Sequence, residues 1–323
     1  MKTQIVVKTQ SVELNKLYIA DRLGFSDFDH CLTFPKFIEV ETIRACNAKC
    51  TFCSVYNGSF DAPPKKMADS LLEKIIDELQ MPDATTSTVC ACRDGEPLLD
   101  RRVAGFIKDL KGTGIPTVTL VTNAELLNEK KSKELLSSGL DELMISIDGY
   151  SEPVYSKLRI GLNFETVINN TVAFLKLRNN MNSDLRVRIR MVVVDENKDE
   201  VEPYLNFWNS KVSDGDRVQA LPAHSWGNEL YIETKESIAK MRPKPCIAPF
   251  NMFTIHWDGE VTMCGHDYKH NHVVGDLNSE TISEIWKGER FEDIRIKHLT
   301  PGRRDEIEPC RGCQIWDRVE VVD

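Results

Sequence analysis

A parallel α/β fold carrying a small cysteine-bearing appendage is the class this sequence predicts, on three observations. From Phe37 to about Ala223, stretches of strand period alternate with stretches of helical period, giving about six strand–helix units. Beyond them the alternation stops and a hairpin signature takes over. Seven of the ten cysteines fall into three tight groups, and only Cys31, Cys90 and Cys92 stand apart.

The elements follow in chain order. Phe37-Ile-Glu-Val-Glu-Thr42 alternates with period two and runs into the first cysteine group. Ser70–Leu79 has helical spacing, Thr86–Cys92 is rich in β-formers, and Val103–Leu110 is an amphipathic helix. A strand at Thr117–Thr122, a helix through Leu126–Leu136 and a strand at Glu142–Asp148 come next. The helix Phe164–Leu177, the strand Arg186–Val194, the helix Val201–Trp208 and the strand Arg217–Leu221 complete the series. Such alternation implies a parallel sheet with helices outside, and functional side chains gathered at the carboxyl ends of the strands.

Past residue 227 the sequence reads as a linker, in which Arg242-Pro-Lys-Pro245 forbids regular structure. Phe253–Trp257, the turn Asp258-Gly259 and Glu260–Cys264 then form a hairpin, followed by a helix near Ile282–Trp286 and a tail with two cysteines. The expected division is an extension of residues 1–36, too short to fold alone, an α/β domain of 37–227, a linker of 228–245 and a small domain of 246–323.

Charge and hydropathy narrow the function. With 41 Lys and Arg against 50 Asp and Glu, the net charge of −9 argues against a surface built to coat nucleic acid. No run reaches the roughly 18 apolar residues that cross a bilayer. The apolar start Ile5-Val-Val7 is cut short at Lys8, which is not a signal peptide. The expectation is a cytoplasmic protein with neither nucleic acid nor membrane as partner. In that reducing compartment ten cysteines remain thiols, and their clustering points to metal ligation.

Cys46-Asn-Ala-Lys-Cys50-Thr-Phe-Cys53 places three thiolates within eight residues, on a loop after a strand. A four-iron cluster takes four ligands, so three cysteines leave one iron open to an exogenous molecule. The competing reading is a zinc site completed by a histidine; zinc favours paired C-x2-C units, and no histidine lies nearby in sequence.

The C-x3-C-x2-C spacing, with Phe52 before the third cysteine, resembles the signature of the radical SAM superfamily. Further marks of that family follow in order: Arg93-Asp-Gly-Glu96-Pro97 at the end of the second strand, Thr122-Asn123 at the third, Ile145-Ser146-Ile-Asp148-Gly149 at the fourth, then Arg159-Ile-Gly161. The resemblance implies a partial (β/α)6 TIM-type barrel. It implies a [4Fe–4S] cluster on Cys46, Cys50 and Cys53, and S-adenosylmethionine chelating the open iron through its amine and carboxylate. One-electron reduction, fed by an external donor of flavodoxin or ferredoxin type, would yield methionine and a 5′-deoxyadenosyl radical able to take hydrogen from an unactivated carbon.

By the same resemblance, Gly95 and Glu96 face the methionyl amine, and Ser146, Asp148 and Asn123 lie where relatives meet the ribose and carboxylate. Arg159 has the planar fork that pairs with a carboxylate. Asp94 departs from the family's usual glycine; its carboxylate could hold the amine or the substrate, or cap a helix. For the strand-end residues, ordinary turn chemistry is the competing reading.

Cys246, Gly259 and Cys264 match the C-x9–15-G-x4-C opening of the SPASM extension in this family, and Cys310-Arg-Gly-Cys313 completes four ligands. Without the further cysteines of a full module, this resembles the truncated twitch arrangement, with one fully ligated auxiliary [4Fe–4S] cluster. The spacing is similar to that of the family's aminocyclitol dehydrogenases. A zinc ribbon would also use four thiolates but normally presents two C-x2-C knuckles.

A saturated cluster can accept the electron that a substrate radical sheds, so the favoured reaction is oxidation of a secondary alcohol. The substrate expected is small and polyhydroxylated: a sugar, a nucleotide sugar or an aminocyclitol. His224, beside Trp226 after the last strand, is the candidate base. Cys90 and Cys92 alternate on the second strand, so both face one way, as either buried thiols or hydrogen donors. Epimerisation or dehydration of a carbohydrate, modification of a peptide, and a non-catalytic iron–sulfur or zinc protein are the alternatives.

Overall fold

The computed structural model describes residues 2–53, 64–224, 244–267, 269–311 and 313, with the backbone alone for residues 2–11 and Thr86. Its elements begin with α1 (Lys2–Leu23), β1 (Phe37–Val40), β2 (Ile43–Arg44), β3 (Lys49–Cys50), β4 (Lys65–Lys66), α2 (Asp69–Glu78), β5 (Thr88–Cys90) and α3 (Val103–Gly112). Then come β6 (Thr117–Thr122), α4 (Glu129–Leu136), β7 (Glu142–Ser146), α5 (Glu152–Leu158), β8 (Arg159–Ile160), α6 (Phe164–Asn180) and β9 (Arg186–Val193). The chain continues through α7 (Val201–Asn209), β10 (Arg217–Pro222), β11 (Met252–Ile255), β12 (Glu260–Thr262), β13 (Val273–Asp276), α8 (Ile282–Lys287) and α9 (Glu289–Leu299). None of the described helices is long and apolar enough to cross a membrane.

Two compact units result: one of Val40–Gln80 and Thr88–Ala223, the other of the described parts of Met1–Glu39, Met81–Ser87 and His224–Asp323. The first unit is the α/β layer. Its strands lie in the order β5-β6-β7-β9-β10 and every adjacent pair is parallel. Alternation sorts their side chains: Val118, Leu120, Leu143, Ile145, Val187, Ile189 and Met191 are fully buried on one face. The positions between them, such as Thr119, Met144 and Val192, are only half-buried.

Local chemistry sets the helix starts. Asn128 and Asn163 each accept the amide three residues on, which begins α4 at Glu129 rather than at Leu126 and α6 at Phe164. Helix α5 falls where the sequence was read only as a motif-bearing connection.

In the second unit β1 pairs with β11, and β11, β12 and β13 form an antiparallel meander. Gly259 turns the hairpin at φ +96°, a conformation that disfavours any side chain. The amino-terminal segment packs in the same unit as the carboxyl-terminal domain: Ile19, Leu23 and Cys31 share an apolar cluster with Phe250 and Leu299. Burial pushes the Cys31 thiol up to about 11, so it serves that cluster as a small apolar group. The strand β13 and helix α9 went unread in the sequence, and α8 carries a full capping box between Thr281 and Glu284.

A buried ion pair closes the sheet's amino-terminal edge. Arg178 on α6 donates to both oxygens of Asp216, at 2.5 and 2.8 Å, and to the Leu185 carbonyl. Asp216 also accepts the amides of Val187 and Ser213. Removing one partner leaves a buried charge uncompensated, so Asp216→Ala is expected to lower the unfolding free energy by about 3–5 kcal/mol. Replacing both partners by apolar residues should recover much of that loss, as read from denaturant midpoints.

Candidate active site and auxiliary metal centre

The loop carrying Cys46, Cys50 and Cys53 is fixed at both ends. β3 pairs antiparallel with β8, setting Cys50 opposite Arg159, and the Thr51 amide donates to the Leu158 carbonyl. Asn47 accepts from the Asn123 side chain at 2.8 Å and donates to Glu125 at 3.0 Å. Ala124, next to Asn123, sits at φ +63°, an uncommon conformation for alanine that keeps this strand end sharply turned. Asn123 therefore reaches the cysteine loop itself.

The Gly95-Glu96 edge is equally constrained. A side chain on Gly95, at φ +145°, would sit 2.5 Å from the Ala45 carbonyl oxygen, while the Glu96 amide donates to that oxygen at 2.8 Å. Only glycine allows this backbone to lie against the segment entering Cys46. The Glu96 carboxylate, 2% exposed, accepts from Thr122 at 2.7 Å, the Asn123 amide at 2.8 Å and the Leu98 amide at 3.0 Å. Burial pushes its pKa up, against those three hydrogen bonds. Glu96 also caps the short helical turn Pro97–Leu99, which overturns the helix-capping reading of Asp94. Asp94 is buried and its carboxylate lies 3.5 Å from Arg93.

Asp148 and Arg159 form one buried pair. Asp148 takes both Nε and Nη2 of Arg159 and accepts the Val192 amide. Arg159 stands 5.6 Å from the centre of the Phe52 ring. Desolvation works against its charge, but Asp148 and then Cys50 hold its pKa above the usual arginine value. Arg159 is thus a buried cation beside the cysteine loop. Ser146, in register with Arg190, is buried.

The donor chemistry fits an iron–sulfur cluster. Desolvation pushes the Cys46 thiol up to about 12 and raises Cys50, so these sulfurs ionise only with a cation to bind them. Cys46, Cys50 and Cys53 would hold such a cluster and leave one of its irons for a cofactor.

Cys246, Cys264, Cys310 and Cys313 converge in the second unit; the first three are likewise pushed up, Cys246 to about 12, by desolvation first, with neighbouring cysteines, Cys313 among them, raising each further. Two histidines that sequence reasoning missed touch their sulfurs. His298 Nε2 lies 3.4 Å from Cys310 Sγ, and His266 Nδ1 lies 3.4 Å from Cys264 Sγ. Burial, reinforced by Arg304, lowers His298 to about 3, so it is neutral and can donate to sulfur. His266 in turn meets His224 edge to face, with ring centres 4.9 Å apart. Trp226 lies outside the described residues.

Cys90 and Cys92 do face one way, with sulfurs 3.6 Å apart. Cys90 shares the half-buried sheet face with Thr119, its register partner.

A hydrogen bond to a cluster sulfur favours the more negative, reduced state. His298→Leu is therefore expected to move the auxiliary-cluster midpoint to lower potential while leaving the amino-terminal cluster unchanged, in an EPR-monitored redox titration.

Residues 40–207 match the radical SAM superfamily, and residues 246–314 match SPASM, an iron–sulfur cluster-binding domain. GTP 3′,8-cyclase of Lactiplantibacillus plantarum is 24% identical over 204 residues, 62% of this chain but only 58% of that enzyme's length. The S-adenosyl-L-methionine-dependent 2-deoxy-scyllo-inosamine dehydrogenase of Niallia circulans is 23% identical over 85% of this chain and 91% of its own. Among solved structures, BtrN in complex with AdoMet and 2-DOIA superposes with a TM-score of 0.59 at 20% identity, covering 87% of this chain and 93% of BtrN. Streptococcus suis SuiB bound to its precursor peptide SuiA gives 0.67 at 16% identity, over 88% and 73%. The fold is thus the partial barrel of those structures with a carboxyl-terminal iron–sulfur domain, and the chain belongs to the radical SAM superfamily, with S-adenosylmethionine and iron–sulfur clusters as its cofactors.

Proposed function

We propose that the chain oxidises a secondary alcohol of a small polyhydroxylated substrate, in the cytoplasm, with electrons for initiation from a flavodoxin- or ferredoxin-type donor. The observation that carries the reading is the line from His224 through His266 to the Cys264 sulfur, which links the candidate base to a ligand of the auxiliary centre. The dehydrogenase from Niallia circulans, matched over most of both chains, supports it; the cyclases, matched over little more than half their length, support only shared initiation.

When bound, S-adenosylmethionine and the two clusters supply hydrogen-atom abstraction and a one-electron acceptor. The residues supply the rest. Asn47, Asn123 and Gly95 hold the cysteine loop still, and the Asp148–Arg159 pair fixes a cation beside Cys50. His224 takes the hydroxyl proton, so that the alcohol carbon loses one hydrogen atom, one proton and one electron and becomes a ketone.

A second reading rests on Cys90 and Cys92: a thiol facing the substrate could return hydrogen to its radical, giving an epimer. Turnover in deuterated water separates the two, because only the epimer carries one solvent deuterium at carbon.

Replacing Cys46, Cys50 and Cys53 together by Ala is expected to lower iron from about eight to about four per chain and to abolish 5′-deoxyadenosine formation. Replacing Cys310 and Cys313 by Ala should leave 5′-deoxyadenosine formation measurable while the ketone disappears. Ketone formation by the second variant at the wild-type rate would refute the oxidation reading.

A further inference from the structure

We propose that Arg190 is the receptor for an oxyanion carried by the substrate, a phosphate or a carboxylate, on the half-buried face of the parallel sheet. The inference rests on the alcohol-oxidation reading and narrows its substrate to anionic sugars, sugar acids and nucleotide sugars, setting aside neutral and cationic aminocyclitols.

Strand β9 reads Arg186-Val-Arg188-Ile-Arg190, so period two puts three guanidiniums on one face and Val187, Ile189 and Met191 on the buried one. Register places them among named neighbours: Arg186 opposite Glu142, Arg188 opposite Met144, and Arg190 between Ser146 on β7 and Gln219 on β10. A row of hydroxyl, guanidinium and carboxamide thus crosses three strands of a protein whose overall charge is −9.

The anions near this row are already committed. Glu142 takes Arg188 at 2.8 Å. Asp148 takes Arg159 and the Val192 amide. Arg190 has no ion-pair partner among the described residues, and its Nε is shut off from solvent without a hydrogen-bond acceptor. Desolvation lowers its pKa, and Arg159 and Arg188 push the same way against Asp148. A cation left in this state destabilises the empty fold, which makes sense if a ligand brings the missing charge. A guanidinium fork matches a phosphate or carboxylate through two parallel hydrogen bonds, and Ser146 and Gln219 flank it with further donors.

The carboxylate of S-adenosylmethionine is a rival source of the same chemistry. Arg159, in register with Cys50, already supplies a cation at the cysteine loop, which leaves Arg190 for the substrate.

The test uses the full chain, anaerobically reconstituted with its clusters, as wild type, Arg190→Gln and Arg190→Lys. Isothermal titration with inorganic phosphate, inorganic pyrophosphate and acetate, each in the presence of S-adenosylmethionine, reads the site without turnover. Loss of a charge-assisted pair predicts weakening of about tenfold or more in Arg190→Gln, with Arg190→Lys intermediate and cofactor affinity unchanged. Preference for the phosphates points to a phosphorylated substrate, and preference for acetate to a sugar acid. Arg190→Gln should also melt no lower than wild type, since it removes an uncompensated buried charge. The proposal is overturned if no probe binds, or if the probes bind Arg190→Gln as tightly as wild type. It is equally overturned if Arg190→Gln weakens cofactor binding instead, or unfolds at lower temperature as a structural ion pair would. Because titration needs no reaction, failure to oxidise any alcohol would leave this result intact, and loss of the oxyanion site would leave the oxidation reading intact.

Discussion

Three sulfurs on one short loop would have to stay fixed to offer a metal with a free position, and much of the first unit is arranged to hold that loop. Such a loop cannot rely on its own metal for rigidity, because an incompletely ligated cluster tethers the chain at only three points. The protein supplies the rest through the pairing of β3 with β8, the Asn47–Asn123 hydrogen bond and the close approach of Gly95 to Ala45. The ties through Asn123 and Gly95 come from the carboxyl ends of β6 and β5, and the β3–β8 ladder adds a third beside them.

Much of the polar chemistry at that edge is turned inward. Glu96 spends three hydrogen bonds joining two strand ends, and Asp148 joins β7 to β9 while holding Arg159. Buried carboxylates with several donors are rigid, and rigidity positions a cofactor that binds by chelation. Arg190 contrasts with them, a cation on the same sheet with no ion-pair partner among the described residues, its Nε buried without an acceptor. The second unit shows a different use of polar groups, with His266 and His298 each placed 3.4 Å from a cysteine sulfur.

The strand–helix series and the hairpin were legible because periodicity and a turn dipeptide are local signals; Gly259 at its left-handed φ is where the sequence put it. The clustering of the cysteines was legible from spacing, and their grouping into two ligand sets came from the resemblance to the family. Helix α1 was not, since Lys2–Leu23 has no clean amphipathic stripe and its buried residues Ile19 and Leu23 meet Phe250, far along the chain. The cap went to Glu96 rather than Asp94 because the helical turn is a single short one starting at Pro97. His266, His298 and the Asp148–Arg159 pair depend on contacts that spacing does not encode. The arginines of β9 were in plain view, but their alternation was spent on recognising a strand, and only the register of β7 and β10 shows that Arg186 stands opposite Glu142 while Arg190 stands between Ser146 and Gln219.

The central claim is that the amino-terminal cysteine loop leaves one iron open and that the cofactor fills it. Electron–nuclear double resonance on the reduced enzyme, with S-adenosylmethionine labelled by nitrogen-15 at the amine and oxygen-17 at the carboxylate, examines that bond directly. Hyperfine coupling of both labels to the cluster spin, lost when Cys46, Cys50 and Cys53 are replaced, is the predicted result. Zinc in that loop, or a paramagnetic cluster that shows coupling to neither label, would contradict the account at its root.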